Sequence, residues 1–580
     1  MRALPLFLFA AVLPAQQARW QLPPGGVAVY TADEALEPDP PGGRLPGCPL
    51  PHATILFQSE LHPSGSHVVA DPADWRWIAP HLAFDLRLPG KGPIKARLSR
   101  VPGLGNLELT GTAATDAATG VQTFELRFQV QEPVLDTEEK KQRGRDSRPW
   151  FGGDGGGSLR LERTVDATAG VVQAFTARFE LNLTLGPHHG LGPLKGTFTQ
   201  SWQLETVRER RGRDFQARVD QAIQDAAEVI EHELQPDRPE FATRHSPTEH
   251  TCGEGHLALT IQTLLAAERP RDGPALQAAF AELHRREIRE TYSLAVALLA
   301  TDQAFAPPLE RDNLLRGVIE RPTPRQLPPE HAAKVAEWSQ RLLQNRDQGV
   351  DAAYRSRWWY LAGSGFDNSN TQYALFGLFA ASLARQDIGR GVWLAAGEHW
   401  LSVQHPAIGA ARSLELVPLA ELDAGKRTSA GRSTKARGFG YTLPGDGPAY
   451  GSMTCAGIAG LSLCRGALDL HGKTPLDQKL DAAIREGFAW LAAHRSVRWN
   501  PGPPPLRHHH FFYWLYSLDR ACELSRVGRI DDWDWYWEGA ELLLAIQDHN
   551  GRFGEAQLEE QCFALLFLKK AQLPVLTGPR

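Results

Sequence analysis

Hydrophobic and polar positions divide the chain into two regimes. From residue 20 to about 207 the clearest pattern has period two. Phe124, Leu126, Phe128 and Val130 alternate with Glu125, Arg127 and Gln129, and Phe175, Ala177, Phe179, Leu181, Leu183 and Leu185 alternate with Thr176, Arg178, Glu180, Asn182 and Thr184. One apolar and one polar face per segment is the pattern of antiparallel strands packed on one side. Weaker segments at 53–57, 82–88, 94–98, 107–110, 159–165 and 197–204 bring the expected strands to about eight, a sandwich or barrel. Between them, 136–157 joins a charge run to Gly152-Gly153-Asp154-Gly155-Gly156-Gly157. No Gly-Lys-Ser/Thr ending follows, so this reads as a hairpin loop and not a phosphate loop.

After the basic run Arg208 to Arg213 the period becomes 3.6. Asp214 can cap a helix striped by Phe215, Val219, Ile223, Ala226 and Ile230. Six helical hairpins follow, at 215–234 with 251–268, 273–286 with 291–304, 330–345 with 369–385, 391–404 with 453–470, 477–494 with 509–526, and 532–547 with 559–572. The first helix of each pair is amphipathic, carrying charges such as Lys334, Glu337, Lys479, Arg485 and Glu486. The second is apolar or small on nearly every side and needs burial all round. A ring of polar outer helices around six buried inner ones satisfies both demands.

The inner helices share a polar start. Asp367, Ser369 and Asn370 are N-cap residue types placed before the apolar run Tyr373 to Ala381, and a similar change from polar to apolar recurs at Gly451-Ser452-Met453-Thr454, at His508 to Tyr516 and at Glu559-Glu560-Gln561. Asp367-Asn368-Ser369-Asn370-Thr371-Gln372-Tyr373-Ala374, Gly438-Phe439-Gly440-Tyr441 and Trp514-Leu515-Tyr516-Ser517-Leu518-Asp519-Arg520 resemble the squalene cyclase and prenyltransferase repeat family. Gln547-Asp548-His549-Asn550-Gly551-Arg552-Phe553 is similar to that family's Gln-x-x-x-Gly-x-Trp repeat, with Phe553 where Trp is usual. The resemblance covers residues 215 to 575 and implies an α/α toroid of the terpenoid cyclase type.

The chemistry of that family does not carry over. Its class II cyclases use an Asp-x-Asp-Asp acid, whereas Asp531-Asp532-Trp533-Asp534 has another order and opens an outer helix, as a cap and dipole partner would. Its protein prenyltransferases hold zinc with Asp-x-Cys, whereas Asp519 and Cys522 are spaced differently. Thr251-Cys252-Gly253-Glu254-Gly255 is similar to the thioester motif of complement-type domains, but Gly255 stands where the thioester needs glutamine.

Composition narrows the rest. At 580 residues and 42% hydrophobic content, two or more domains are expected, and a net charge of -5 gives no global pull toward nucleic acid. Met1-Arg2 followed by the apolar run Ala3 to Leu13 has the form of a secretory signal, the alternative being a buried N-terminal strand. The expected organisation is a signal at 1–18, a β-rich domain at 19–207 and the toroid at 214–580, exported and soluble without a transmembrane segment. Six cysteines form no disulfide framework and no C-x-x-C pair, so no structural zinc and no cofactor is expected; a metal on His508 to His510 needs partners from another helix, with Cys455, Glu559 and Asp367 the candidates.

The connections entering inner helices, such as 346–367, 405–451 and 495–507, are long, and most of those leaving them are short. Long loops on one face of a regular scaffold are where binding is built. Helix N-termini there favour polar or anionic groups, as do Lys426, Arg427, Arg432, Lys435 and Arg437. The candidate ligand residues are Asp367, Asn368, Asn370, Tyr373, Tyr450, Ser452, His508, His509 and His510. Neighbouring helical histidines point about 100° apart, so at most two of the three can face one site. Two function classes stay open: a module that binds a polar or anionic small molecule or polymer on this rim, and a lyase or hydrolase acting there on an extracytoplasmic polymer.

Overall fold

The structure, a computed structural model, describes residues 26–570 apart from 39–55, 70–77, 132–153, 185–192, 242–252, 348–355, 421–430, 503–509 and shorter gaps. The expected signal at 1–18, together with His508, His509, Cys252, Lys426 and Arg427, lies outside the described residues. The chain divides into two compact units, Met1–Ala217 with His494–His509, and Arg218–Ala493 with His510–Arg580.

The first unit carries nine antiparallel strands, β1 (Gly26–Pro38), β2 (Leu56–His62), β3 (Gly65–Val69), β4 (Gly92–Val101), β5 (Gly105–Thr115), β6 (Gln122–Gln131), β7 (Asp154–Asp166), β8 (Val171–Thr184) and β9 (Pro193–Glu209). They form one sheet in the order β3-β2-β1-β9-β8-β7-β6-β5-β4. Among the described residues this is a single sheet whose edge strands β3 and β4 do not pair, which corrects the expected sandwich or barrel. The alternation showed that one face is buried but could not show what covers it. Part of the cover is α1 (Ile78–Phe84), which packs on β7 and β8. That helix also corrects the strand expected at 82–88, a short apolar run whose period does not separate helix from strand. Arg163 fixes its end, with Nη1 donating to the carbonyls of Ala83 (2.8 Å) and Leu82 (3.3 Å).

The register brings the two best-alternating segments onto one face. Phe128 pairs with Leu109 on one side and Gly157 on the other, and Leu159 pairs with Phe179, which pairs with Phe198. Gly155 to Gly157, expected in a loop, lie inside β7. A Cβ at Gly157 would press on the Glu180 carbonyl and come within 2.9 Å of the Phe128 ring, so the glycine there makes room for a core aromatic.

The second unit is helical. Its outer helices are α2 (Arg213–Glu233, which begins in the first unit), α4 (Pro274–Arg285), α7 (Pro329–Gln344), α9 (Arg390–Val403), α11 (Pro475–Ala493) and α13 (Trp535–Ile546). The inner helices are α3 (Gly253–Ala266), α5 (Thr291–Phe305), α8 (Asn368–Leu383), α10 (Gly451–Ala467), α12 (Phe511–Leu524) and α14 (Leu558–Lys569). A short α6 (Glu310–Leu315) lies in the long connection after α5. Each inner helix packs on the next, from α3 through α5, α8, α10 and α12 to α14, and α14 packs back on α3. Small residues permit this closeness: a Cβ on Gly457 would enter the Phe439 ring, and one on Gly460 the Trp400 ring.

Two short ribbons, β10 (Ile408–Leu414) with β12 (Arg432–Ala436) and β11 (Leu416–Pro418) with β13 (Val527–Ile530), order the long connection into α10. Asp534 caps α13, its carboxylate accepting from the N–H of Trp537 at 3.2 Å. No described helix is long and apolar enough to cross a membrane.

Candidate functional site

The loops leading into α8 and α10 are held to each other and to the helices beneath them. Trp358 is fully buried, its indole N–H donating to the carbonyl of Leu342 (2.8 Å) and its backbone N–H to Thr371 Oγ1 (3.0 Å). The next two residues are pinned to the start of α5: Thr291 Oγ1 donates to the Trp359 carbonyl (2.6 Å), and the Thr291 N–H donates to the carbonyl of Tyr360 (2.9 Å). Asn368 ties in the second loop, with Nδ2 donating to the carbonyls of Gly440 (2.8 Å) and Thr442 (3.2 Å) and its N–H to that of Tyr441 (2.8 Å). Both Asn368 amide hydrogens are thereby placed, so its Oδ1 is an acceptor and His399 Nε2, 3.1 Å away, carries the proton. Burial holds the His399 pKa down at about 3, with Arg357 adding to the effect.

Asp367 is fully buried and caps α8: Oδ1 accepts from the Asn370 N–H (2.6 Å) and Oδ2 from Asn370 Nδ2 (2.8 Å). Burial raises its pKa, against the lowering by these hydrogen bonds. Asp367, Asn368 and Asn370, expected as ligand contacts, thus form the frame that holds the rim.

The hydroxyl groups of the site come from elsewhere. Among the described residues seven tyrosines, Tyr292, Tyr360, Tyr373, Tyr441, Tyr450, Tyr513 and Tyr516, lie in the first two turns of inner helices or in the loops entering them. The Tyr292 hydroxyl donates to Ser369 Oγ at 2.6 Å, that oxygen is 3.4 Å from the Tyr513 hydroxyl, and Tyr513 donates to Gln372 Oε1 at 3.1 Å. Tyr373 stacks on Tyr513 at 6.4 Å and meets Tyr292 edge-on at 4.9 Å. Phe563 of α14 closes on Tyr516 (4.9 Å) and Tyr513 (5.6 Å). Four inner helices, α5, α8, α12 and α14, therefore meet across the centre of the cycle through this cluster. Burial is the largest cause of a raised pKa at Tyr292, Tyr373, Tyr441, Tyr450, Tyr513 and Tyr516, and the charge of Asp367 raises Tyr292, Tyr441, Tyr450 and Tyr513 further.

Among the remaining expected residues, Ser452 is buried in the first turn of α10 and Tyr450 is the residue before that helix. His510 is exposed, left-handed at φ 60°, and begins α12 with its ring 6.5 Å from Tyr513. Arg437, expected to favour an anion, is engaged by Glu486 (3.1 Å) and by the carbonyls of His405 (2.7 Å) and Gln404 (3.2 Å). The positional clustering of tyrosines is readable in the sequence once the hairpin register is known; the cross-ring partnerships are not.

Further along α12, Arg520 lies over the Tyr516 ring at 4.3 Å and Glu523 pairs with Arg311 at 2.7 Å. Tyr513, Tyr516, Arg520 and Glu523 follow helical spacing on one face. Asp519 between them is fully buried, and neither carboxylate oxygen has a hydrogen-bond partner among the described residues. Burial, and then the Glu523 charge, push its pKa up to about 8. No group of three or more His, Cys, Asp or Glu among the described residues could hold a metal ion.

No protein-family model matches the chain, and no curated protein matches it by sequence. Among solved structures, it is similar to a family 76 glycoside hydrolase from a bovine Bacteroides thetaiotaomicron strain, at 8% identity and a TM-score of 0.35 over 80% of this chain and 96% of that one. It is also similar to lipovitellin, at 9% identity and a TM-score of 0.20 over 86% of this chain and 56% of that one. Likenesses at these scores carry no argument about activity.

Proposed function

We propose that this protein is an exported binding module whose helical unit is an α/α toroid, and that it takes a polar ligand on the rim where the inner helices begin. The return of α14 to α3 supports the toroid reading. The observation that carries the functional reading is the group of hydroxyls set on loops that Thr291, Trp358 and Asn368 pin in place. Proton abstraction needs a base with a pKa near the working pH. Six rim tyrosines are held above their ordinary value, so they remain neutral hydroxyls, and His399 is buried and held far below neutrality. Asp367 is raised, but both its oxygens are occupied in capping α8, and Asp519, pushed up to about 8, is fully buried in the third turn of α12, below the rim. Neutral hydroxyls on a pinned frame suit recognition by hydrogen bonding.

The test is a thermal-shift screen of the purified chain against polar small molecules and soluble polymers, with any hit repeated on Tyr450→Phe and His510→Ala. Weaker binding by these variants, with unchanged circular dichroism, is expected. A hit whose affinity neither substitution alters, or release of new chain ends from a polymer by the purified protein, would overturn the reading.

A further inference from the structure

We propose that His284 and His331, facing each other from two outer helices, form an acid-operated latch that frees the loop carrying Trp358 to Tyr360 when the imidazoles take up protons. His284 lies in the last turn of α4 and His331 in the first turn of α7, and their rings meet edge-on at 4.7 Å. Aromatic rings enclose both. Phe280 of α4 lies 6.0 Å from His284 and 5.3 Å from His331, Phe305 at the end of α5 lies 4.8 Å from His331, and Trp338 of α7 lies 5.7 Å from His284. The inward nitrogens, His284 Nε2 and His331 Nδ1, are buried with no hydrogen-bond partner among the described residues.

A neutral pair suits this place and a charged pair does not. Neutral imidazoles pack here as aromatic rings, edge to face. A proton on either inward nitrogen buries an N–H without an acceptor, and two imidazolium rings at this separation repel each other. The charged groups acting on the pair are Glu330 and Lys334 of α7 and Arg271 of the connection before α4, whose guanidinium lies 4.6 Å from the Phe305 ring. Glu330 favours the charged rings, Lys334 opposes charge on His284, and Arg271 opposes it on His331, as does the positive end of α7. The other acids of the packed elements are engaged: Glu282 of α4 by Arg285 (2.7 Å) and Arg286 (2.8 Å), and Asp302 of α5 by Arg325 (2.6 Å). Burial is the largest effect on both histidines and lowers their pKa values, that of His284 to about 4. The latch is therefore closed above the ordinary histidine value and is lost as pH falls below it.

The seam leads to the rim. Farther along α7, Arg341 Nη1 donates to the carbonyl of Ile288 (2.7 Å), and just past its end Asn345 Nδ2 donates to that of Arg289 (2.8 Å), so α7 is tied to the segment that enters α5. The Trp358 indole is held by the Leu342 carbonyl of α7, and Thr291 at the start of α5 holds Trp359 and Tyr360. One helix thus joins the histidines at its first turn to the support of the loop at its last, and a shift of α7 away from α4 disturbs both anchors of that loop.

The experiment follows amide exchange of the full chain from pH 7 to pH 4, corrected for its intrinsic pH dependence, in the wild type and in the double variant His284→Phe with His331→Phe. The variant keeps two packed rings and removes the sites of protonation, and a thermal melt at pH 7 checks its fold. As pH falls, exchange at 329–345 and 356–362 is expected to rise about tenfold or more in the wild type relative to the variant. Magnetic-resonance titration of the two imidazoles in the wild type gives a second reading that needs no variant, with both expected to take up protons below the ordinary histidine value and together with the rise in exchange. An equal rise in wild type and variant, or imidazoles that titrate at the ordinary value with no change in exchange, would overturn the latch. A melting temperature raised by zinc only when both histidines are present would overturn it in favour of a metal site.

Discussion

The hydroxyl of Tyr513 donates to Gln372 Oε1 at 3.1 Å, although α12 and α8, which carry them, are separated in the helical cycle by α10. The bond crosses the centre of the unit. It belongs with the stacking of Tyr373 on Tyr513 and the Ser369 contact to a buried plug that ties opposite sides of the ring.

Tyr513→Phe keeps the ring packing and deletes the hydroxyl, leaving Gln372 Oε1 buried without its donor. The expected loss is about 1–2 kcal/mol in urea unfolding, the usual cost of an orphaned buried polar group. Tyr513→Ala should cost more, about 3–5 kcal/mol, because it also opens a cavity.

Asp519 gives the ring a pH dependence. Its folded pKa, about 8, lies above the ordinary carboxylate value, so the folded state holds this proton more tightly than the unfolded chain does. Its contribution to stability is therefore intact in acid and declines as pH rises from about 4 toward 8. Asp519→Asn, which cannot ionise, should flatten that decline in chemical denaturation at successive pH values.

His399 acts in the opposite direction. Its folded pKa of about 3 lies below the ordinary histidine value, so its contribution is intact above about pH 6.5 and is lost as pH falls toward 3. Among the described residues the buried Nδ1 has no hydrogen-bond partner. Acidification should loosen the loop that Asn368 holds, seen as faster amide exchange at 438–442, and His399→Gln should remove this part of the acid sensitivity.

The twelve principal helices were legible from periodicity to within about three residues, because each inner helix is apolar all round and each outer one is striped. The single sheet was not, since Phe124 and Phe179 alternate in the same way whether a second sheet or a helix covers them. At the site, Asp367 was legible as a cap, and the hydrogen bonds from Asn370 show it in that role; capping residues and ligand residues are the same types, so the sequence does not separate the two. Trp358 and Trp359 are indistinguishable as a dipeptide; one is buried under Leu342 and Thr371, and its neighbour is exposed.

Gly457 supports the rim from below. Alanine there would displace the Phe439 ring, which carries the loop that includes Tyr441. Gly457→Ala is expected to destabilise the protein by about 1–3 kcal/mol through overpacking and to weaken rim binding, measured by urea unfolding and calorimetry.

The most direct test of the rim as the functional face is hydrogen–deuterium exchange of the full chain, with and without a polar small molecule or soluble polymer that raises its melting temperature. Protection concentrated at 356–366 and 438–450 is the predicted result. Protection confined to the shallow pocket lined by Glu228, His232, Glu233, Asn550 and Arg552, with the rim loops unchanged, would contradict it.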